Sequence, residues 1–227
     1  MEPRFMARRS DVAVLPPGQD DRFAGYGVVA LPFSSGYLLA LRHFPASTLG
    51  AGYDSLWMRE PDGQWTILTT VPGDLACPRY FSSALRAAEQ TEIRLHWHSP
   101  SVLVVSVAAP WDLSWELDLG TSAVSALMSA VCPVIPAGWW RGSLFSRVMG
   151  VMAGSLFAAG RMSLSGKTPN GNQYTMGPRR VWVIRDSRAS LRGQDLGTPA
   201  RLAVQDRLGD FWLPQRGLFM QGWAGFD

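Results

Sequence analysis

Residues 91–120 set three short segments end to end, TEIRLHWH, SVLVVSVAA and DLSWELDLG, with a proline in each joint. The first and the third alternate apolar and polar residues, and the second is apolar at both parities apart from its serines. A period of two sends neighbouring side chains to opposite faces of an extended chain, so the alternating segments have one dry and one wet side. In 91–98, Ile93, Leu95 and Trp97 share the dry side; Glu92, Arg94, His96 and His98 share the wet one. In 112–119, Leu113, Trp115, Leu117 and Leu119 oppose Ser114, Glu116 and Asp118. A sheet must cover its dry side with something, and a sheet closed on itself covers it with its own far wall. The pattern therefore predicts an antiparallel β-barrel.

The rest of the chain extends the pattern. Segments 25–33 and 36–44 flank Ser34-Ser35, and segments 53–60 and 64–71 flank Pro-Asp-Gly, where Asp-Gly supplies the backbone of a tight hairpin turn. At residue 120 the period changes. Val124, Leu127, Met128 and Val131 form a helical stripe, which Pro133 and Pro136 break. Residues 142–160 give a second helix with two apolar rows, Leu144, Val148, Val151 and Ser155 beside Phe145, Met149, Met152 and Leu156. Strands resume after Gly160, with RMSLSG and NQYTMG around a second turn, then 180–186, then LFMQGWAGF at 218–226. The expected organisation is mainly β: an extended N-terminal arm over 1–22, then one barrel domain over 23–227 with a helical insertion at about 121–160.

The stretch from 120 to 140 carries no formal charge. A spanning helix needs about 20 apolar residues without breakers, and the prolines exclude one here. Three roles remain for the insertion: a plug or outer packing layer, a lid over a ligand cavity with Met128, Met149 and Met152 as adaptable contacts, or a membrane-surface element built around GWWRG.

The 227 residues are 47% apolar and 17% charged, with a net charge of +3. Bases are scattered (Arg42, Arg59, Arg79, Arg94, Arg141, Arg161) rather than gathered in a stripe, which argues against nucleic acid as a partner. Cys77 and Cys132 stand far apart and form no metal-type pair, so both are expected as buried free thiols in a cytoplasmic protein.

No nucleophile elbow or dinucleotide loop occurs, and no cofactor is expected. GRMSLSGKT imitates the end of a phosphate loop, but its glycine spacing is one residue too long and a turn follows it. His96 and His98 share a strand face without a third ligand, so no metal is expected. CPRYF (77–81) could present Arg79 and Tyr80 to a carboxylate or enolate, or could be a corner where Tyr80 packs and Arg79 neutralises an acid. Ten tryptophans, several of them mid-strand, either fill a barrel or line a cavity that grips an apolar ligand. The candidate ligand-binding residues are Tyr53, Trp57, Arg79, Tyr80, Trp97, Trp115, Met149 and Trp182; no catalytic residue is identified. The expected partner is a hydrophobic small molecule. The alternative is a peripheral membrane or partner-binding module that uses the helical insertion. Oligomeric state stays open.

The blocks GRMSLSGKTPNG, RRVWVI and LGDFWLPQRGLFMQGWAGF resemble the lipocalin-like β-barrel proteins of the carotenoid hydratase and AttH type. With YDSLWMREPDG and CPRYF they resemble more closely a set of bacterial proteins of the same kind, a likeness that implies no function. The first resemblance implies a polyene, terpenoid or polyketide-like ligand, with cyclisation or isomerisation as the chemistry that such a cavity would host.

Overall fold

The computed structural model describes residues 2–10 and 14–227. In chain order the elements are helix α1 (Pro3–Ser10), strands β1 (Asp21–Pro32), β2 (Leu38–Ser47), β3 (Tyr53–Arg59) and β4 (Trp65–Thr69), helix α2 (Pro78–Phe81), and strands β5 (Ala87–Gln90), β6 (Ile93–Trp97), β7 (Val102–Val107) and β8 (Leu113–Gly120). Helices α3 (Ala123–Val131), α4 (Ala137–Trp140) and α5 (Ser143–Leu156) follow. The chain then returns to β9 (Ser165–Lys167), β10 (Gln173–Leu191), β11 (Gln194–Asp195), β12 (Arg207–Leu208), β13 (Phe211–Trp212) and β14 (Leu218–Phe226).

One sheet carries the fold, in the order β5-β4-β3-β2-β1-β14-β10-β8-β7-β6, with β9 and β11 paired to β10. The protein is mainly β. Its sheet has the barrel-like form expected, as a curled half-barrel that is mixed and not wholly antiparallel. The path of strands stays open between β5 and β6, and β5 runs parallel to β4. The parallel pair arises because the segment around α2 carries the chain back across the end of β4 before β5 begins. Pro78 opens α2, where a missing N–H costs nothing.

The curl is visible in what packs together. Leu39, Leu41, Leu56 and Leu68 from β2–β4 share one buried cluster with Leu103, Val105, Trp115 and Leu117 from β7 and β8. Strands at the two ends of the path can meet only if the sheet wraps round. The concave interior is therefore solid with aliphatic side chains and indole rings. Trp115 is fully buried there, its indole N–H donating to Ser187 Oγ at 2.9 Å. The tryptophan count left open whether the rings fill the barrel or line a cavity; inside the curl they join a buried cluster, because the dry rows of β6–β8 press directly on the dry rows of β1–β4.

The convex face of the central strands is also buried. Phe23, Ala40, Trp57, Val181 and Trp223 join a second cluster with residues of α2, the segment after α5, and β12–β13. Ser129 of α3 ties this layer to the sheet. Its Oγ accepts from Val181 N at 2.9 Å and donates to Val181 O at 3.1 Å, so it occupies the stretch of β10 that outruns β8. No helix among the described residues is long and apolar enough to cross a membrane.

The N-terminal arm also differs from the expectation. Residues 3–10 form α1, with Pro3 as its first residue and Ala7 buried in the concave cluster. Residues 11–13 lie outside the described residues, and β1 begins at Asp21. The insertion at 121–160 holds α3, α4 and α5 where two helices were expected.

Candidate functional site

Strand β2 is buried on both faces. Leu39 and Leu41 enter the concave interior, whereas Leu38, Ala40 and Phe44 join the convex cluster. Arg42 belongs by alternation to the second row, and it is 8% exposed. A guanidinium in that position is unusual, because a buried charge is normally paired. Among the described residues no carboxylate pairs with Arg42. Its Nη1 donates to Val28 O at 2.5 Å and Leu41 O at 2.8 Å, and its Nη2 donates to Val29 O at 3.3 Å. The ring of Trp57 lies 4.8 Å from the guanidinium carbon and that of Phe211 5.9 Å. A guanidinium has five N–H donors. Nε–H and one Nη2–H have no acceptor among the described residues, and those two nitrogens form the edge that a carboxylate engages bidentately.

Opposite Arg42 in the β2–β3 register stands Ser55. Tyr53, Ser55 and Trp57 alternate onto the same face of β3. Trp57 Nε1 donates to Ser55 Oγ at 3.1 Å, and the Tyr53 hydroxyl meets Cys77 Sγ at 3.1 Å. Burial pushes the Cys77 thiol and the Tyr53 phenol upward, so both are neutral at physiological pH. Burial likewise lowers Arg42, with Cys77 and Tyr53 acting in the opposite sense. A guanidinium remains charged even so. Arg42 is thus the charge of a dry compartment whose other polar groups are neutral.

Beside it lies a cavity of about 60 Å³. Its floor is the sheet where Gly25, Gly27, Gly222 and Gly177 leave no side chain standing. Gly25 is required by proximity: a Cβ there would lie 1.9 Å from His43 O, because β1 bends onto β2 at this point. Trp57, Phe81, Phe211, Tyr174, Trp223 and Phe226 make the walls. Trp223 Nε1 is buried and has no hydrogen-bond partner. The cavity therefore offers two kinds of unspent donor, a guanidinium edge and an indole N–H, inside a largely aromatic box. Its lining holds no carboxylate or imidazole among the described residues.

A second, wider cleft of about 830 Å³ runs beside α5 and is polar. It gathers Arg141, Arg147, Arg161 and Lys167 opposite Asp20, Asp210 and Asp227. Arg141 already reaches Asp20 at 3.0 Å, so much of its charge is satisfied internally.

The sequence candidates divide between the two faces. Trp57 lines the cavity, and Tyr53 sits just behind it on Cys77. Tyr80 stacks on the cavity wall residue Phe226 at 4.1 Å and donates to Asp21 at 2.8 Å. Arg79 lies 3.5 Å from Asp21 and is exposed, so CPRYF is the corner in which the arginine meets an acid. Met149 is half-buried against the convex cluster. Trp115 and Trp182 belong to the solid concave cluster and Trp97 packs against it, on the side of the sheet away from the cavity. Arg42, Trp223 and Phe211 were not among the candidates. Arg42 had a signal: it interrupts LLALRHF, a run with apolar residues at both parities, where either face of the strand is buried.

No family model and no curated protein matches the chain. The resemblance to carotenoid hydratase and AttH-type barrels rests on its sequence blocks alone. Among solved structures, the acetoacetate decarboxylase of Legionella pneumophila subsp. pneumophila str. Philadelphia 1 is similar at 9% identity over 94% of this chain and 86% of that one, with a TM-score of 0.44.

Proposed function

We propose that this chain binds a small apolar carboxylate on the convex, helix-covered side of its half-barrel, with Arg42 as the receptor of the acid group. The carrying observation is the buried guanidinium that has two N–H groups unspent and no carboxylate partner among the described residues. An unpaired buried charge costs several kcal/mol, and an anionic ligand offsets that cost when it arrives. Trp223 Nε1 gives a neutral second donor. The aromatic walls exclude water, which strengthens both contacts.

Size restricts the ligand. A water occupies about 10–15 Å³ of such space, so the cavity takes an acid of about four to six heavy atoms. Isobutyrate is of that size; an extended polyene is not. An enolate carries the same charge in the same plane, so the receptor would also hold the intermediate of an isomerisation beside a carbonyl. With a neutral thiol and phenol next to Arg42, the geometry supports binding ahead of proton abstraction.

Calorimetric titration with isobutyrate and isobutyramide tests the proposal. Saturable binding of the acid is expected, at least about tenfold tighter than the amide, which has the same shape without the charge. Equal affinities, or no binding of either, would overturn it.

A further inference from the structure

Helix α5 is inside out. Its buried residues are small: Ser146, Gly150, Ala153 and Gly154. They let the helix lie directly on the chain after it, and a Cβ on Gly150 would fall 2.6 Å from Met162 O. Its bulky apolar residues face outward instead. Leu144 is 74% exposed and Val151 62%, with Val148, Met152 and Leu156 beside them at helical spacing. Trp139 of α4 is 62% exposed and meets Phe145 edge-on at 5.7 Å, which carries the ridge on past the helix start. Of the thirteen large apolar residues exposed among the described ones, nine fall between 127 and 156. Packing of the fold does not call for these side chains, and a concentration of this kind marks a contact surface.

Charge identifies what it contacts. From Leu119 to Arg185 the chain contains no Asp or Glu. In the fold Arg141 meets Asp20 and Arg185 meets Asp118, whereas Arg147, Arg161 and Lys167, on the cleft beside α5 that Asp210 and Asp227 also line, have no ion pair among the described residues. Arg147 is exposed and borders the apolar row of α5 directly. A second copy of the chain would place two such cationic faces against each other, which like-charge repulsion opposes. An apolar ridge with tryptophan at one end and arginines along its flanks matches the interface of an anionic bilayer.

We infer that α4 and α5 dock this protein on anionic lipid bilayers, the apolar ridge entering among the acyl chains while the arginines meet phosphate headgroups. The docking face and the Arg42 cavity are separate, so either stands without the other.

Co-sedimentation of the full chain tests this, using vesicles of phosphatidylcholine alone and of equimolar phosphatidylcholine and phosphatidylglycerol. Binding is expected to the anionic vesicles, weakened by salt and feeble on phosphatidylcholine. Arg147→Gln should lower the partition coefficient about fivefold, since one surface cation contributes about that factor. The double variant Val148→Asp/Val151→Asp should abolish binding yet keep the wild-type circular dichroism, because both side chains are exposed. Failure of the wild type to pellet with anionic vesicles would overturn the inference. So would a dimer in native mass spectrometry that Val151→Asp splits into monomers.

Discussion

Arg42→Met is the sharpest perturbation of the convex site. Methionine keeps an unbranched stem of similar reach and removes the charge. In the ligand-free protein two terms oppose. Replacing an unpaired buried charge with an apolar side chain stabilises by about 1–4 kcal/mol. The carbonyls of Val28, Val29 and Leu41 lose their guanidinium donors, at about 1 kcal/mol each for acceptors within a sheet. The sum changes stability by about 2 kcal/mol or less, a Tm shift within about 8 °C for a chain of this length. Binding responds far more strongly. Two charge-assisted bonds at about 1.5 kcal/mol each amount to about 3 kcal/mol, or a loss of about 150-fold in isobutyrate affinity. Thermal melts followed by circular dichroism measure the first quantity and calorimetric titration the second. An Arg42→Met protein that binds isobutyrate within about threefold of wild type would refute the assignment of Arg42 as receptor. A variant that no longer folds would refute the balance of terms.

Trp115→Ala examines the other face: it should cost about 3–5 kcal/mol in urea unfolding, through loss of a fully buried ring, and leave isobutyrate affinity unchanged. An altered affinity with little loss of stability would place Trp115 on a ligand wall after all. Stability should also fall in alkali. Burial raises the phenols of Tyr53, Tyr80 and Tyr174 and the thiol of Cys77, and it pushes Cys132 up to about 11. In the unfolded chain thiols ionise near about pH 8.5 and phenols near about pH 10. Above those values the unfolded state has released protons that the folded state still holds, so stability declines as pH rises through the unfolded pKa values and is level with respect to these groups below them. Urea midpoints that stay constant up to about pH 10 would contradict this.

The sequence disclosed the strands better than it disclosed their burial. Alternation located β6 and β8, whose wet rows are largely exposed in the structure, as are His96 and His98, whereas the outer row of β7 is half-buried. These strands have solvent on one face, which is the situation that a period of two records. The centre of the sheet is different. Strand β1 is buried almost from end to end, and β2 is buried at both parities over Leu38–Arg42. With both faces covered, apolar residues occur at every position, and the pattern no longer says which side faces what. Glycines conceal the floor for a related reason: Gly25 and Gly222 fall within strand segments, where a missing side chain does not announce that it leaves space. The tryptophans were visible in number but not by face. Trp57 and Trp223 lie on the convex side, whereas Trp115 and Trp182 lie inside the curl. The two apolar rows of α5 were legible, but that one row and the end of the other face outward was set by the small buried residues Ser146, Gly150, Ala153 and Gly154.

A crystal structure of the protein soaked with 2-bromopropionate tests the central claim most directly, because the bromine reports its own position by anomalous scattering. The account predicts one peak over the glycine floor between Trp57 and Phe211, with the carboxylate on the Nε–Nη2 edge of Arg42. A peak inside the Leu56–Trp115 cluster, or none beside Arg42 at saturating ligand, would contradict it.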